Sequence, residues 1–324
     1  MTKNTGTSNL RMQFLSYLGK FGTIIVLGLM ILCFSILLPA FRSPENLVNL
    51  LGQMAILAIF SAGSTCTLKM LDFDLSIGAV AAMTGIVVAN VLIGGHSIPV
   101  AIGLGLLTGI ACGAINGFLV AYVELNALIC TLATLSIISG GALAITKGIS
   151  IWNLPDGFAF IGRGDFYFGI PNRFIIMIVL LTVLALFHSY TPTGRRMEAI
   201  GGNADASRMS GINVRFNRFL GFVLSGFCSA TAGIVLASAV MSANATQGMT
   251  YGLDSLGAVF IGAATIRIGQ FHIWGTLVGV MIVAIAINGL IIMMVPGYFT
   301  TMIGGGILLL AIFMTSTGTR LLKK

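Results

Sequence analysis

The sequence predicts an all-α, polytopic integral membrane protein, a single transmembrane domain over 1–324 with about ten spanning helices. Three observations predict it. The 324 residues are 57% hydrophobic and 8% charged, whereas a soluble domain carries about a quarter charged residues. The apolar residues fall in runs of about twenty, the length a helix needs to cross about 30 Å of hydrocarbon. The cations collect between alternate runs. Strand-like alternation is absent from the runs, and an open sheet in lipid would leave backbone groups unpaired, so the runs are read as helices.

In order, spans are expected at 21–40, 48–68, 75–94, 98–119 and 127–146, then at 174–188, 219–241, 253–266, 275–295 and 298–315. The eighth is the shortest. The first run begins after a polar, basic stretch, is too long for a removable signal peptide and lacks a small-residue cleavage site, so it is read as a retained span. If segment 1–20 is cytoplasmic, only Arg42, Lys147, Arg163 and Arg173 of the 17 lysines and arginines lie outside. The positive-inside rule then places both termini in the cytoplasm, as in a multi-pass protein of the bacterial inner membrane, and requires an even number of spans. The net charge of +8 is thereby explained by topology and contact with membrane lipid, with no nucleic acid needed. Cys33, Cys66, Cys112, Cys130 and Cys228 all lie in apolar runs without paired metal or redox spacing and read as small core residues.

Two stretches break the membrane pattern. Residues 147–173, rich in Gly, Pro, Asp and aromatics, form an expected external loop, and 189–218, rich in Arg and Gly, an expected cytoplasmic segment. An internal repeat is also expected. Ala114-Ile-Asn-Gly117 in span four recurs as Ala286-Ile-Asn-Gly289 in span nine, and Ser76-Ile-Gly-Ala-Val80 resembles Ser255-Leu-Gly-Ala-Val259. The matched spans lie five apart, so the halves would cross in opposite senses, as in inverted-repeat transporters. Small residues form ladders at a spacing of four, Gly105, Gly109, Gly113 and Gly117 on span four and Gly221, Ser225, Ser229 and Gly233 on span seven. Such faces let helix backbones approach closely, within one subunit, at a dimer contact or beside a pore.

The chain carries no engine of its own that can be read from motifs. A phosphate-binding loop needs Lys followed by Ser or Thr, and no lysine here is so followed. His96, His188 and His272 sit at separate span ends without a metal-site spacing, so no metal, bound cofactor or catalytic residue is expected. The acids are expected to lie outside the span interiors. Asp72 and Asp74 precede span three, Glu124 follows span four and Asp254 opens span eight. Helix capping is the plain reading of Asp74 and Asp254, with a substrate or gating role as the alternative. Asn116 and Asn288 lie within apolar helices and each must find a hydrogen-bond partner. An interhelical clamp and a polar lining for a hydroxylated solute both satisfy that need.

In the cytoplasmic segment, Asn203 is placed to cap a short helix through Ala206 and Met209 that stops at Gly211. Small and apolar residues on a short surface helix make a docking surface; the plainer reading is a basic loop that only sets topology. Here the sequence resembles the sugar-permease family of bacterial ABC importers, the ribose and related-sugar type within the wider branched-chain and monosaccharide permease group. The resemblance rests on Asp74-Leu-Ser-Ile-Gly78, Ile115-Asn-Gly117, Thr131-Leu-Ala-Thr134, the loop from Thr193-Gly-Arg195 through Asn203 to Ser210-Gly-Ile212, and Asn288-Gly-Leu290, and it runs the length of the chain.

The resemblance implies alternating access driven by partners: an ABC ATP-binding subunit that holds the ATP, a periplasmic solute-binding protein, and a second permease copy or paralogue. It implies that Arg195, Glu198, Ala199, Gly202, Asn203, Ala206, Ser210 and Gly211 contact the ATPase. The translocation pathway is then expected along Asp74, Ser76, Asn116, Thr131, Thr134, Asp254 and Asn288. Two stretches depart from the family pattern, Asn126-Ala-Leu-Ile129 at the start of span five and Gly262 to Gly269 after span eight. They leave the transported sugar or polyol open. An ion-coupled secondary carrier is the competing reading, favoured by the repeat and opposed by the expected lack of a carboxylate within a span.

Overall fold

The computed structural model of the chain describes residues 22–166, 169–266 and 269–299, together with 302, 303, 305, 306 and 309. The first apolar helices are α1 (Gly22–Leu37), α2 (Pro44–Leu68), α3 (Ile77–Ile93), α4 (Ile98–Ala121) and α5 (Ala127–Thr146). A connection then carries the four-residue α6 (Ala159–Gly162) and a two-stranded hairpin, β1 (Asp165–Phe166) antiparallel to β2 (Ile170–Pro171). Next come α7 (Asn172–Tyr190), the short α8 (Pro192–Gly202) and α9 (Ala204–Met209), then α10 (Val214–Val240), α11 (Met249–Ala263) and α12 (Ile273–Ile292). Six of these helices are long and apolar enough to cross a membrane, and α1 and α3 are shorter apolar helices. The expected span at 298–315 falls mostly outside the described residues.

Local chemistry sets the helix starts. Pro44 occupies the first turn of α2 while the Ser43 hydroxyl accepts the Asn46 N–H at 3.2 Å. The Asn126 side chain accepts the Leu128 and Ile129 N–H groups and so opens α5, which is what the stretch at 126–129 does in this chain. The short α11 follows Gly248, whose φ of 98° is open to glycine and strained for other residues. Fifteen residues reach only about 22 Å, and the partly buried, non-helical backbone of 241–248 precedes them. Irregular backbone at membrane depth is tolerated where protein surrounds it. The eighth span therefore begins four residues earlier than expected, and Asp254 lies inside it rather than at its cap.

Contacts fix the crossing directions. Thr23 at the start of α1 meets Thr265 after α11 at 2.6 Å, and Phe34 near the end of α1 lies against Gly289 in α12. One face of the molecule thus carries α8, α9 and the ends of α2, α4 and α7; the opposite face carries the β-hairpin. The helices α2, α3 and α4 run in senses opposite to α10, α11 and α12. Asn116 and Asn288 are 172 residues apart, as are the ends of α2 and α10 and the starts of α3 and α11. Each half also has an eight-residue crossover, 69–76 and 241–248. The match of Ser76 with Ser255 is seven residues, about two helical turns, out of this register.

The glycine ladders serve packing within the chain. A Cβ at Gly109 would meet Ala230 and the Gly226 carbonyl, and one at Gly113 would meet the Phe222 carbonyl, so α4 and α10 touch backbone to backbone. The other face of α10 does the same toward α2 and α3: Gly221 lies on Met70 and Cys66, and Gly233 on Ala81. Such closeness gains dispersion where lipid offers no hydrophobic drive. With Phe60, Phe222 and Ile59 fully buried, α2 and α10 form the centre, while α4, α5 and α7 present Leu107, Ile137 and Val183 outward.

Candidate functional site

The segment 189–218 folds into two capped helices at the α8 face. The Thr191 hydroxyl accepts the Gly194 N–H at 3.1 Å, and the Asn203 side chain accepts the Ala206 N–H at 2.9 Å. Gly211, at φ 80°, ends α9, with its N–H bonded to the Arg208 carbonyl and that of Ile212 to the Ser207 carbonyl. The Asn203 cap and the Gly211 stop lie where the sequence indicates. Met197 and Ile200 are buried against Met70 and Val214 and anchor α8 to the bundle. Arg195, Ala199, Gly202, Asn203, Ala206, Ser210 and Gly211 are exposed, and Met209 projects with 85% of its surface accessible. Glu198 differs: it is half-buried and its carboxylate lies 3.1 Å from Lys69 Nζ.

That ion pair belongs to the crossover at 69–76, which ties three elements together. Gly201 of α8 sits directly on the Lys69 carbonyl, so close that a side chain there would displace it. Arg218 of α10 grips Asp72 with both arms of its guanidinium, Nε at 2.7 Å from Oδ2 and the second nitrogen on Oδ1. Asp72 is buried, and a carboxylate in such a place is tolerable when a fork-shaped donor satisfies it. Outside this group, Arg215 donates to Glu124 at 2.7 Å on the exposed surface, and that bond holds the Glu124 carboxyl below its ordinary range. Lys69 and Arg218 count in the sequence only as topology-setting cations; the structure gives each a buried-side partner.

Asp74, Ser76 and Asn116 come together in the interior. Asp74 Oδ1 accepts the Ser76 N–H at 3.0 Å and its hydroxyl at 2.6 Å, while Oδ2 accepts the Ser225 hydroxyl of α10 at 2.7 Å. The Asn116 amide of α4 donates to Ser76 Oγ at 2.8 Å. Asp74 does not cap α3 as expected: Ser76 is the residue that precedes the helix, and Asp74 bonds Ser76 itself. Its depth was not expected: Ser225 lies two turns beyond Arg218 along α10, so this carboxylate is inside the bundle, 3% exposed. The expectation that every acid lies outside the span interiors is corrected here, because the crossover at 69–76 folds back into the bundle before α3 starts. Asn116 Oδ1 is buried without a hydrogen-bond partner among the described residues.

Thr131 of α5 holds the same crossover from the other side. Its hydroxyl accepts the Leu75 N–H at 3.2 Å and donates to carbonyls including Ala127 at 2.8 Å. Thr134 bonds the Thr131 carbonyl at 3.2 Å, a local contact on α5. Asn288 lies far from this group, near the hairpin face, where it exchanges two amide bonds with Asn46 of α2, at 2.9 and 3.1 Å. That is the clamp geometry. Asp254 sits half-buried in the second turn of α11. Ser225 and Asn46 escaped the sequence reading, Asn46 because its partner is 242 residues away. Ser225 stood in the small-residue ladder, where its hydroxyl was the available signal.

The chain matches the family described as branched-chain amino acid transport system / permease component over residues 46–312. It is 35% identical over 315 residues to the ribose import permease protein RbsC of Bacillus subtilis, covering 97% of this chain and 98% of that protein. Similarity extends to the D-allose transport system permease protein AlsC of Escherichia coli, 29% identical with 93% and 92% of the two chains covered. It extends also to the L-arabinose transport system permease protein AraH of Escherichia coli, 30% identical with 96% and 94% covered. No solved structure matches the chain. By its match over most of its length and its 35% identity to a full-length relative, this chain belongs to the branched-chain amino acid transport system / permease component family.

Proposed function

We propose that this chain is the transmembrane permease subunit of an ATP-binding-cassette importer for a monosaccharide or related polyol in a bacterial cytoplasmic membrane. The observation that carries the reading is end-to-end similarity to permeases named for ribose, allose and arabinose. In this reading the α8 face is cytoplasmic, both termini lie on that side, and the hairpin face meets a periplasmic solute-binding protein. An ATP-binding subunit docks on the exposed residues from Arg195 to Gly211, with Met209 and Ala206 as the knob that enters its groove. Its stroke passes through Gly201 and Glu198 to the crossover at 69–76, and from there to α10 through Asp72 and to the interior through Asp74. A second copy or a paralogue supplies the other wall of the passage. The test is uptake in proteoliposomes. With partner ATPase and binding protein present, ATP inside the vesicle drives accumulation of labelled monosaccharide; uptake by the chain alone, driven by an ion gradient, would overturn the reading.

A second reading has one observation behind it. Asp74 is a buried interior carboxylate in an inverted-repeat bundle, the kind of group that carries a proton in ion-coupled carriers. The same vesicles decide between the two: a proton gradient without ATP drives uptake in that case, and Asp74→Asn abolishes it.

A further inference from the structure

A cavity of about 590 Å³ opens at the α8 face, outside the interior network, between the ends of α2 and α7, the flank of α8 and the start of α12. Thr65, Lys69, His188, Arg195, His272 and Trp274 line it. Two features give its chemistry. Lys69 and Arg195 set two cations against the single carboxylate of Glu198, so the wall favours an anion. The imidazoles supply the directional groups. His188 is 4% exposed and its Nδ1 lies 2.8 Å from the Leu184 carbonyl, which only accepts, so Nδ1 bears the proton. Its Nε2 is buried and bonds no nitrogen or oxygen among the described residues, so its lone pair meets only the Cys66 thiol beside the ring. His272 has the opposite tautomer, because its Nδ1 accepts the Gly275 N–H at 3.2 Å and Nε2 carries the hydrogen. Trp274, half exposed at the rim, adds an apolar flat surface.

Cations for a charged group, a ring acceptor for a hydroxyl and an aromatic wall match a small polyol that carries a phosphate. We propose that this cavity binds a phosphate ester of a polyol, with the phosphate on Arg195 and Lys69 and a hydroxyl donating to His188 Nε2. Two sources offer that chemistry: a soluble sugar phosphate, or the glycerophosphate headgroup of an anionic lipid, for which basic pockets on one side of a helix bundle are suited. The ligand would compete with Glu198 for Lys69 and so act on α8. Binding itself does not depend on the importer reading; the consequence for transport does.

The chain has two tryptophans, so Trp152→Phe leaves Trp274 as the only one and as a reporter at the cavity rim. The full chain carrying that change, in phosphatidylcholine nanodiscs, is titrated with D-ribose 5-phosphate and separately with D-ribose; in a second arm, phosphatidylglycerol replaces phosphatidylcholine in steps. A saturable change in Trp274 emission with the sugar phosphate and not the sugar assigns the soluble source. A saturable change in the second arm alone assigns the lipid. In either case Arg195→Gln, at an exposed position that leaves the fold intact, weakens binding about tenfold or more, and Lys69→Gln does the same if it folds. No saturable response in both arms, or unchanged affinity in Arg195→Gln, overturns the proposal.

Discussion

The crossovers at 69–76 and 241–248 occupy matching places in the two halves and have the same length, yet they are held in different ways. The first carries Lys69, bound to α8, and Asp72 and Asp74, both bound to α10, Asp74 also to Ser76. The second has no charged residue. Its ties are the paired bridge of Ala243 with Ile151, at 2.8 and 3.0 Å, and a local ring in which Asn244 accepts from Thr246 and bonds Gln247. One crossover links the bundle to the helices at the α8 face through strong, partly buried charge pairs; the other is closed on itself and on the connection between α5 and α7. An inverted repeat thus gives two similar scaffolds, and side-chain chemistry ties only one of them by charge to the α8 face.

Substitutions along this contrast should fall in a graded series. Ala206→Arg places a bulky cation on the exposed knob of α9; it should abolish ATP-driven uptake while membrane insertion and the melting temperature stay as in the parent, and normal uptake would remove the docking assignment. Arg218→Met leaves Asp72 buried and unpaired, which should cost about 3 kcal/mol of stability in detergent. Asp72→Asn combined with Arg218→Met should recover most of that loss, and a double-mutant cycle with no coupling would show that the pair is idle. Asn288→Ala should cost about 1 kcal/mol, with little further loss when Asn46→Ala is added, since each amide serves the other. At the crossover 241–248, Thr246→Ala removes an exposed local bond and should stay within about 0.5 kcal/mol of the parent. A larger loss there than at Arg218 would reverse the comparison.

Much of the bundle was legible because lipid permits so few backbone arrangements. The runs at 48–68, 98–119 and 127–146 became α2, α4 and α5 with boundaries shifted by a few residues. The cap at Asn203 and the stop at Gly211 were legible for a similar reason, since both are local in sequence. What failed was depth and partnership. Asp254 read as a cap, yet Gly248 starts α11 earlier. Asp74 read as lying outside the span, because nothing local says that 69–76 folds back into the interior. Of the two repeated strings, Ala-Ile-Asn-Gly lies in register with the helices and Ser-x-Gly-Ala-Val does not; small and branched residues recur on tightly packed helices without common placement. The matched asparagines also have different partners, Ser76 for one and Asn46 for the other, a distinction carried entirely by residues distant in the chain.

The central claim, that the passage is driven at α8 and α9 and not at the hairpin face, is tested most directly by cross-linking. Met209→Cys and Trp152→Cys place reactive thiols at exposed positions on the two opposite faces. In membranes holding the assembled transporter, a short bifunctional reagent should join Met209→Cys to an ATP-binding subunit and leave Trp152→Cys free of it. Capture of that subunit from Trp152→Cys, or from neither position, would contradict the account.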